Sequence, residues 1–209
     1  MAIEAPTEYL TIARSARIKL PMGACRFYGS VEEVSSEEEA ELFLDVVRAE
    51  HPDIKNHAWA FRIGTGQKQL ERVFDAGEPT NSAGPPILRA INHLELTNTM
   101  VVVTRYFGEK HGVGGLIRCF HHTAAAVLEE AGIRQELVYH KICASCRYDQ
   151  HGYLLHELEK VQALHLTQDY QELVTITADI RPQEFEGLAH RVREWTKGTV
   201  QVVRVLDEC

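Results

Sequence analysis

The sequence lacks a long hydrophobic run and a secretory leader. A membrane-spanning helix needs about twenty consecutive apolar residues, and no run approaching that length occurs. The N-terminal segment MAIEAPTEYLTIARSARIKLP does not place an apolar stretch after a basic one, as a signal peptide does. We therefore expect a protein that stays in the cytoplasm and does not enter a membrane.

Cysteine is scarce and unevenly spaced. The chain has five cysteines, an odd number that suits free thiols in a reducing compartment better than a disulfide framework. Cys143 and Cys146 have the spacing of a metal or redox pair, but residues three apart in a strand point to opposite faces. A structural zinc site takes four ligands, and no second pair occurs. The sequence therefore predicts no metal site and no cofactor.

Positive charge is in deficit, since the formal net charge is -8. Such a charge repels phosphate at long range, so only a local patch could bind nucleic acid. Many of the carboxylates lie between residues 32 and 53, where few cations oppose them. This acidic segment is typical of a solvated helix face, although an acidic surface that docks another protein is an alternative.

Hydrophobic periodicity predicts an α+β first domain. SARIKLPMGACRFYGSVEEV predicts two strands, and HAWAFRIG with LERVFD predicts two more. Helical spacing begins after Ser35–Ser36 and ends at Pro52, and a second helix is expected with its cap at or near Ser82. TMVVVTRYF is too continuously apolar for a half-exposed strand, which indicates a buried one. A long helix is expected from Gly115 to Gly132.

A second succession of predicted strands and helices starts after Gly132. It runs strand, helix, two strands, helix and strand, which is the βαββαβ order of a ferredoxin-like domain. The sequence therefore predicts two α+β domains, over residues 1–135 and 136–209.

A glycine-rich turn joins the buried strand to the long helix in VVVTRYFGEKHGVGGLIRC. Free amides at a helix start, together with the positive end of the helix dipole, favour a phosphate or a carboxylate. The spacing matches neither the Walker nor the Rossmann pattern, so a purely structural corner is the alternative. The candidate anion- or RNA-binding residues are Arg105, Lys110, Gly112, Gly114, Gly115 and Arg118.

A second candidate is the polar loop in FDAGEPTNSAG, which precedes the second predicted helix. Paired carboxylates such as Asp75 and Glu78 can act as acid and base or hold a divalent cation. The alternative is that the loop's side chains cap the helix and bind their own backbone. Because no third ligand or nucleophile accompanies the pair, we assign no catalytic residue.

Aromatic residues on the predicted strands offer a further interpretation. Such rings can stack on nucleic-acid bases, but in apolar strands they more often belong to the core. The residues concerned are Phe27, Tyr28, Trp59, Phe61, Tyr106 and Phe107.

Three of these segments together resemble the N-terminal domain of the IMPACT/YigZ family. AWAFRIG, FDAGEPTNSAGPPIL and VVVTRYFGEKHGVGGLIR occur in the family's order and spacing, and the resemblance covers about Ser15 to Ile133. The remainder is similar to the C-terminal domain of the family's bacterial members. The resemblance implies an N-terminal βαβ sandwich like domain 2 of a small-subunit ribosomal protein, and a ferredoxin-like domain similar to one in elongation factor G.

The resemblance also marks a motif loop, and this sequence departs from the family pattern near it. Ala76 replaces an Asp, Pro85 replaces a frequent Arg, and Glu109 replaces a Gly in a turn that is one residue shorter. These changes make the glycine turn less positive than the family pattern. The matching loop residues are Asp75, Gly77, Glu78, Pro79, Ser82 and Gly84.

The family resemblance implies contact with RNA or with the translation apparatus, since eukaryotic relatives regulate translation initiation through protein contacts. Our leading hypothesis is therefore a translation-associated regulator that binds RNA or a ribosomal or translation-factor partner, without established catalysis. The alternative is a small-molecule enzyme that holds a phosphate ligand or a nucleotide at the glycine turn. Asp75 or Glu78 would then be its base or cation ligand.

Overall fold

The computed structural model describes residues 7–23, 25–66, 69–106 and 112–205. The chain divides into two units, one over Tyr9–Glu136 and the other from Leu137 onward together with the residues before Tyr9. Each unit has a hydrophobic core of its own. In the described part of the chain, no helix is long and apolar enough to cross a membrane.

The N-terminal unit is built on a five-stranded antiparallel sheet in the order β2-β3-β6-β4-β5. The strands of this unit are β1 (Glu8–Ile12), β2 (Ala16–Met22), β3 (Cys25–Glu33), β4 (His57–Ile63), β5 (Leu70–Phe74), β6 (Thr99–Tyr106) and β7 (Ile133–Leu137). Strands β1 and β7 pair with each other in a separate two-stranded sheet. Its helices are α1 (Glu37–Glu50), α2 (Gly84–His93) and α3 (Val113–Ala131).

Helices lie on both faces of this sheet. The apolar sides of α2 and α3 pack on one face around Phe27, Val101 and Val103. Helix α1 packs on the opposite face against Phe61 and Val102. Strand β6 is buried along most of its length because both of its faces are covered, as its continuous apolar run predicts.

Sequence signals account for the position of α1. The Ser36 side chain accepts a hydrogen bond from the amide of Glu39 at 3.2 Å, which caps the helix, and Glu37, Glu38 and Glu39 occupy the first turn. Ala40, Phe43, Leu44 and Val47 form the buried stripe, and the remaining carboxylates stay in solvent.

The second unit is ferredoxin-like. Strands β8 (His140–Cys146), β9 (Leu164–Tyr170), β10 (Val174–Ile180) and β11 (Val202–Arg204) form an antiparallel sheet in the order β11-β8-β10-β9. Helices α4 (Tyr148–Lys160) and α5 (Phe185–Trp195) contribute Leu154, Leu158, Leu188 and Val192 to the core on one side of that sheet. The chain is therefore a two-domain α+β protein, as the sequence predicted.

The segment around residue 137 differs from the prediction. LVYHKICASCRY was expected to form one strand, but Leu137 ends β7, which pairs with β1, and a new strand begins at His140. Neither β1 nor β7 was predicted as a separate element. Both are only five residues long, and every residue of β7 is exposed or half-buried, so their apolar alternation is weak.

Candidate functional site

The motif loop between β5 and α2 is organised by Asp75. One carboxylate oxygen accepts hydrogen bonds from the amides of Ala83 and Gly84 at 2.9 Å each, and the other accepts from the amide of Asn81 at 2.8 Å. Asp75 thus caps α2 from across the loop. The cap was expected at or near Ser82, and it falls on the neighbouring Ala83. The buried Ser82 hydroxyl has no hydrogen-bond partner among the described residues.

Glu78 binds Arg105 at the end of β6. Nη1 of Arg105 donates to both carboxylate oxygens of Glu78, at 3.0 and 2.8 Å, and Nδ2 of Asn56 donates to the same carboxylate at 3.2 Å. The Glu78 and Arg105 side chains are only 4% and 13% exposed. Burial lowers the pKa of Arg105, but Glu78 offsets this effect, and the pKa lies above its ordinary value.

Asn56 was not among the residues predicted for the site. Its carbonyl oxygen accepts a hydrogen bond from the Arg105 amide at 3.3 Å, so it holds the end of β6 through its backbone as well as through its side chain. The sequence around it, DIKNHA, carries no motif that could have signalled this role.

The loop backbone explains two of its glycines. Gly77 has a φ of 82°, a conformation that suits glycine, while its neighbour Ala76 has a φ of 52°. A Cβ at Gly84 would lie 2.8 Å from the Phe74 amide nitrogen, so no side chain fits there. Gly84 therefore allows α2 to begin directly against β5.

The first turn of α3 is open. Gly112 is its N-cap residue and supplies no capping side chain. Gly115 and Leu116 donate to the Gly112 carbonyl oxygen at 2.8 and 3.1 Å, whereas no described group accepts from the amides of Val113 and Gly114. A Cβ at Gly112 or Gly114 would meet nothing within 4 Å. Two donor groups at the positive end of a long helix thus have no acceptor among the described residues.

The predicted cations have different surroundings. Arg118 is exposed on α3, whereas Arg105 is largely buried against Glu78. Burial raises the pKa of the Cys119 thiol, and Arg105 and Arg118 both oppose that rise, which places both cations near one thiol. Lys110 lies outside the described residues. Arg105 at the end of β6 and Arg118 on α3 thus both act on Cys119.

Metal ligands do not cluster in the described part of the chain. No group of three or more His, Cys, Asp or Glu side chains there has a metal-binding arrangement. Among the described residues, the four cysteines form no disulfide bond, and Cys146 is in the core of the second unit while Cys143 is on the opposite side of β8.

Each sheet has an area that helices leave uncovered, and the two areas carry different side chains. The open face of the second unit carries Lys141, Ser145, Thr175, Thr177 and Asp179, with no aromatic ring from the described residues of β8 and β10. The face of the N-terminal sheet beside α1 carries aromatic rings that the sequence alone had favoured as core residues. On this face Phe61 is buried, but Tyr28 is half-buried and Tyr106 is 40% exposed, whereas Phe27 is buried on the opposite face. Phe107 lies outside the described residues.

Taken together, the fold and the loop define a two-domain α+β protein with a capped acidic loop beside an open, glycine-rich helix start. The chain belongs to the IMPACT family: the family model described as "Impact N-terminal domain" matches residues 24–128. A second model, "Domain of unknown function (DUF1949)", matches residues 145–199.

Relatives support this membership along most of the chain. IMPACT family member YvyE of Bacillus subtilis is 28% identical over 91% of this chain and 88% of its own length. IMPACT family member YigZ of Escherichia coli is 24% identical over 86% of this chain and 89% of its own length. A family member from Thermus thermophilus is 42% identical over 51% of this chain and 56% of its own length.

A solved structure shows the same fold. The crystal structure of a hypothetical protein superposes with a TM-score of 0.76 at 23% identity, covering 97% of this chain and 100% of that one. At this level of identity, the likeness concerns the fold alone.

Proposed function

We propose that this protein is a cytoplasmic, translation-associated regulator that binds RNA and has no catalytic activity of its own. The link to translation rests on the resemblance to the IMPACT/YigZ family. The binding of RNA rests on the local geometry of the N-terminal unit.

The open start of α3 is the observation that carries the proposal. The amides of Val113 and Gly114 have no acceptor among the described residues, and both residues are exposed. A Cβ at Gly112 or Gly114 would meet nothing within 4 Å, which leaves room for a ligand beside the backbone. Arg118 adds an exposed positive charge one turn later. This arrangement suits a phosphate of the RNA backbone, because helix N-termini bind anions through amides and dipole together.

The alternative enzyme loses support from the same loop. Asp75 accepts three backbone hydrogen bonds, and Glu78 is bound to Arg105 and Asn56. A carboxylate that holds a fold in this way is poorly placed to take up a proton or a cation during turnover. The loop residues therefore support the binding site by positioning the end of β6.

The test is a salt titration of RNA binding with a matched pair of glycine variants. Gly114→Ala adds a methyl group over the free amides and is expected to stabilise α3 by about 0.5–1 kcal/mol while lowering RNA affinity several-fold. Gly152→Ala makes the same change on α4, also where a Cβ meets nothing. It should stabilise its helix and leave RNA binding unchanged.

Removal of charge gives a second readout. Arg118→Gln should weaken binding of all RNA sequences alike and make the salt slope shallower by about one. The proposal fails if no structured or single-stranded RNA binds at low salt. It also fails if Gly114→Ala and Arg118→Gln bind RNA as the parent protein does.

A further inference from the structure

An open aromatic surface lies on the N-terminal sheet, on the side of α1. Its rings belong to Tyr28 on β3 and Tyr106 on β6, whose centroids are 5.7 Å apart at an interplanar angle of 52°. Strand register places them there: Tyr28 is paired with Thr104, and Tyr106 with Arg26. Because alternate residues of a strand face the same side, both tyrosines and Arg26 share one face.

Two cations that form no ion pair with a described acidic side chain border these rings. The Lys19 ammonium group lies over the Tyr28 ring, 5.5 Å from its centroid, and Lys19 is the cross-strand neighbour of Tyr28. Lys19 and Arg26 are both exposed. No ion pair joins either of them to an acidic side chain among the described residues.

A hollow of about 270 Å³ lies next to Tyr28. Its wall includes Lys19, Ser30 and His51, and the His51 ring is 4.8 Å from the Tyr28 ring between centroids. Glu50 also contributes to the wall, but its carboxylate lies 3.3 Å from Nε of Arg17, which offsets its charge. The surface is thus locally cationic and aromatic on a chain of net charge -8.

From this surface we propose that the N-terminal sheet is a stacking platform for the bases of single-stranded RNA, with Tyr28 and Tyr106 under the bases and Lys19 and Arg26 at the phosphates. The inference rests on the proposed function and narrows its ligand to unpaired RNA. Charge complementarity and ring exposure favour this occupant, since sequence-tolerant single-strand binders combine stacking rings with cations along the backbone.

The second sheet differs in this respect. Its open face has hydroxyl groups and Asp179 on β8 and β10, and the His165 ring of β9 is bound there to Asp179 at 2.9 Å. Its Ser145 and Thr175 hydroxyls bind each other at 2.9 Å. The second sheet therefore offers no stacking partner from the described residues of β8 and β10.

The test measures fluorescence anisotropy of a labelled adenine oligoribonucleotide of about ten nucleotides and of a duplex of equal length. The full-length protein should bind the single strand more tightly than the duplex. Tyr106→Leu and Tyr28→Leu should each lower the single-strand affinity at least about fivefold, because each removes a stacking partner. Lys19→Gln and Arg26→Gln should each make the salt slope shallower by about 0.7, the contribution of one phosphate contact on a single strand.

Matched variants separate stacking from folding. Tyr106→Phe and Tyr28→Phe retain the ring and should bind within about twofold of the parent protein, since stacking does not need the hydroxyl. Tyr170→Leu removes a tyrosine of the second unit that is more exposed than Tyr106, at 56% against 40%, and should leave the affinity for RNA unchanged. Circular dichroism melting of every variant identifies any loss of fold.

The outcomes distinguish the two proposals. Absence of binding to any RNA overturns both of them. A different pattern overturns the stacking platform alone. In that case Gly114→Ala weakens binding, but duplex and single strand bind equally and neither leucine variant changes the affinity. Equal losses with Leu and Phe at both tyrosines would also overturn it, because the ring would then not be what binds.

Discussion

A single buried ion pair fixes the end of β6 next to the open helix start. Glu78 is almost entirely enclosed, and its partner Arg105 is only slightly more exposed. Removing one member leaves a buried charge without compensation, whereas replacing both by apolar groups avoids that cost. Arg105 was predicted as a phosphate ligand from its position in the glycine turn, and in the structure its guanidinium is held by a carboxylate of the motif loop.

Glu78→Ala is expected to lower the free energy of unfolding by about 3 kcal/mol. The double variant Glu78→Met with Arg105→Met should recover most of that loss, because no unpaired charge stays behind. Urea denaturation followed by circular dichroism measures both. Glu130→Ala is the control, since Glu130 meets Arg14 at the same 2.8 Å but in solvent, and it should cost less than about 1 kcal/mol. Equal losses at Glu78 and Glu130 would contradict the buried-pair interpretation.

At the scale of elements, α2 has its cap supplied from outside the helix. The cap residue Ala83 has no capping side chain, and Asp75 supplies the acceptor from the end of β5. The motif loop therefore couples the end of an edge strand to the start of a core helix. Charged acceptors at helix N-termini are stronger than neutral ones, because amide donors and helix dipole both favour the carboxylate.

Asp75→Ala should cost about 2 kcal/mol of unfolding free energy, since it removes the acceptor of three backbone amides. Ser36→Ala, which removes the single bond that caps α1, should cost about 1 kcal/mol. Thermal and urea unfolding of the two variants side by side would check the order. A smaller loss for Asp75→Ala than for Ser36→Ala would show that the loop is held by other contacts.

Sequence reasoning recovered the elements whose patterns are local. The serine and glutamates that begin α1, and the apolar run of β6, lie within one stretch of chain and predict their own structure. It offered the loop's side chains as the cap of α2 but could not single out Asp75, because Asp75 and Gly84 are joined only once the loop has folded. Asn56 and Glu78 were likewise unpredictable as a pair, since they come from separate loops.

The exposed tyrosines show a second limit of what the sequence can predict. Alternation along β3 indicates that Phe27 and Tyr28 face opposite sides of the sheet, and this much is visible in the sequence. Which side stays open depends on how far α1 extends over the sheet, and that is a property of tertiary packing. The sequence therefore favoured core positions for residues of which only some are buried.

For the whole molecule, the net charge of -8 sets the kind of nucleic-acid binding that is possible. A protein with an acidic surface cannot attract RNA from a distance, so affinity has to come from short-range contacts. Stacking and backbone amides supply such contacts and depend little on ionic strength. The few cations of the proposed surfaces add a modest electrostatic share.

The salt dependence of RNA binding should therefore be shallow. With Lys19, Arg26 and Arg118 as phosphate contacts, the logarithm of the binding constant should fall with the logarithm of salt at a slope of about -2. Anisotropy titrations across a range of potassium chloride concentrations would measure it. A slope of about -6 or steeper would mean that many more cations meet the backbone than these surfaces provide.

The pairing of β1 with β7 has a consequence for how the protein is made. On the ribosome, β1 emerges before α3, and the strand that completes its sheet emerges only after α3 has been synthesised. Until then the backbone pairing that the described residues offer β1 is the bridge between Leu10 and Leu96. A nascent chain that stops before Ile133 thus presents an unpaired strand edge, the kind of surface that invites aggregation and chaperone capture.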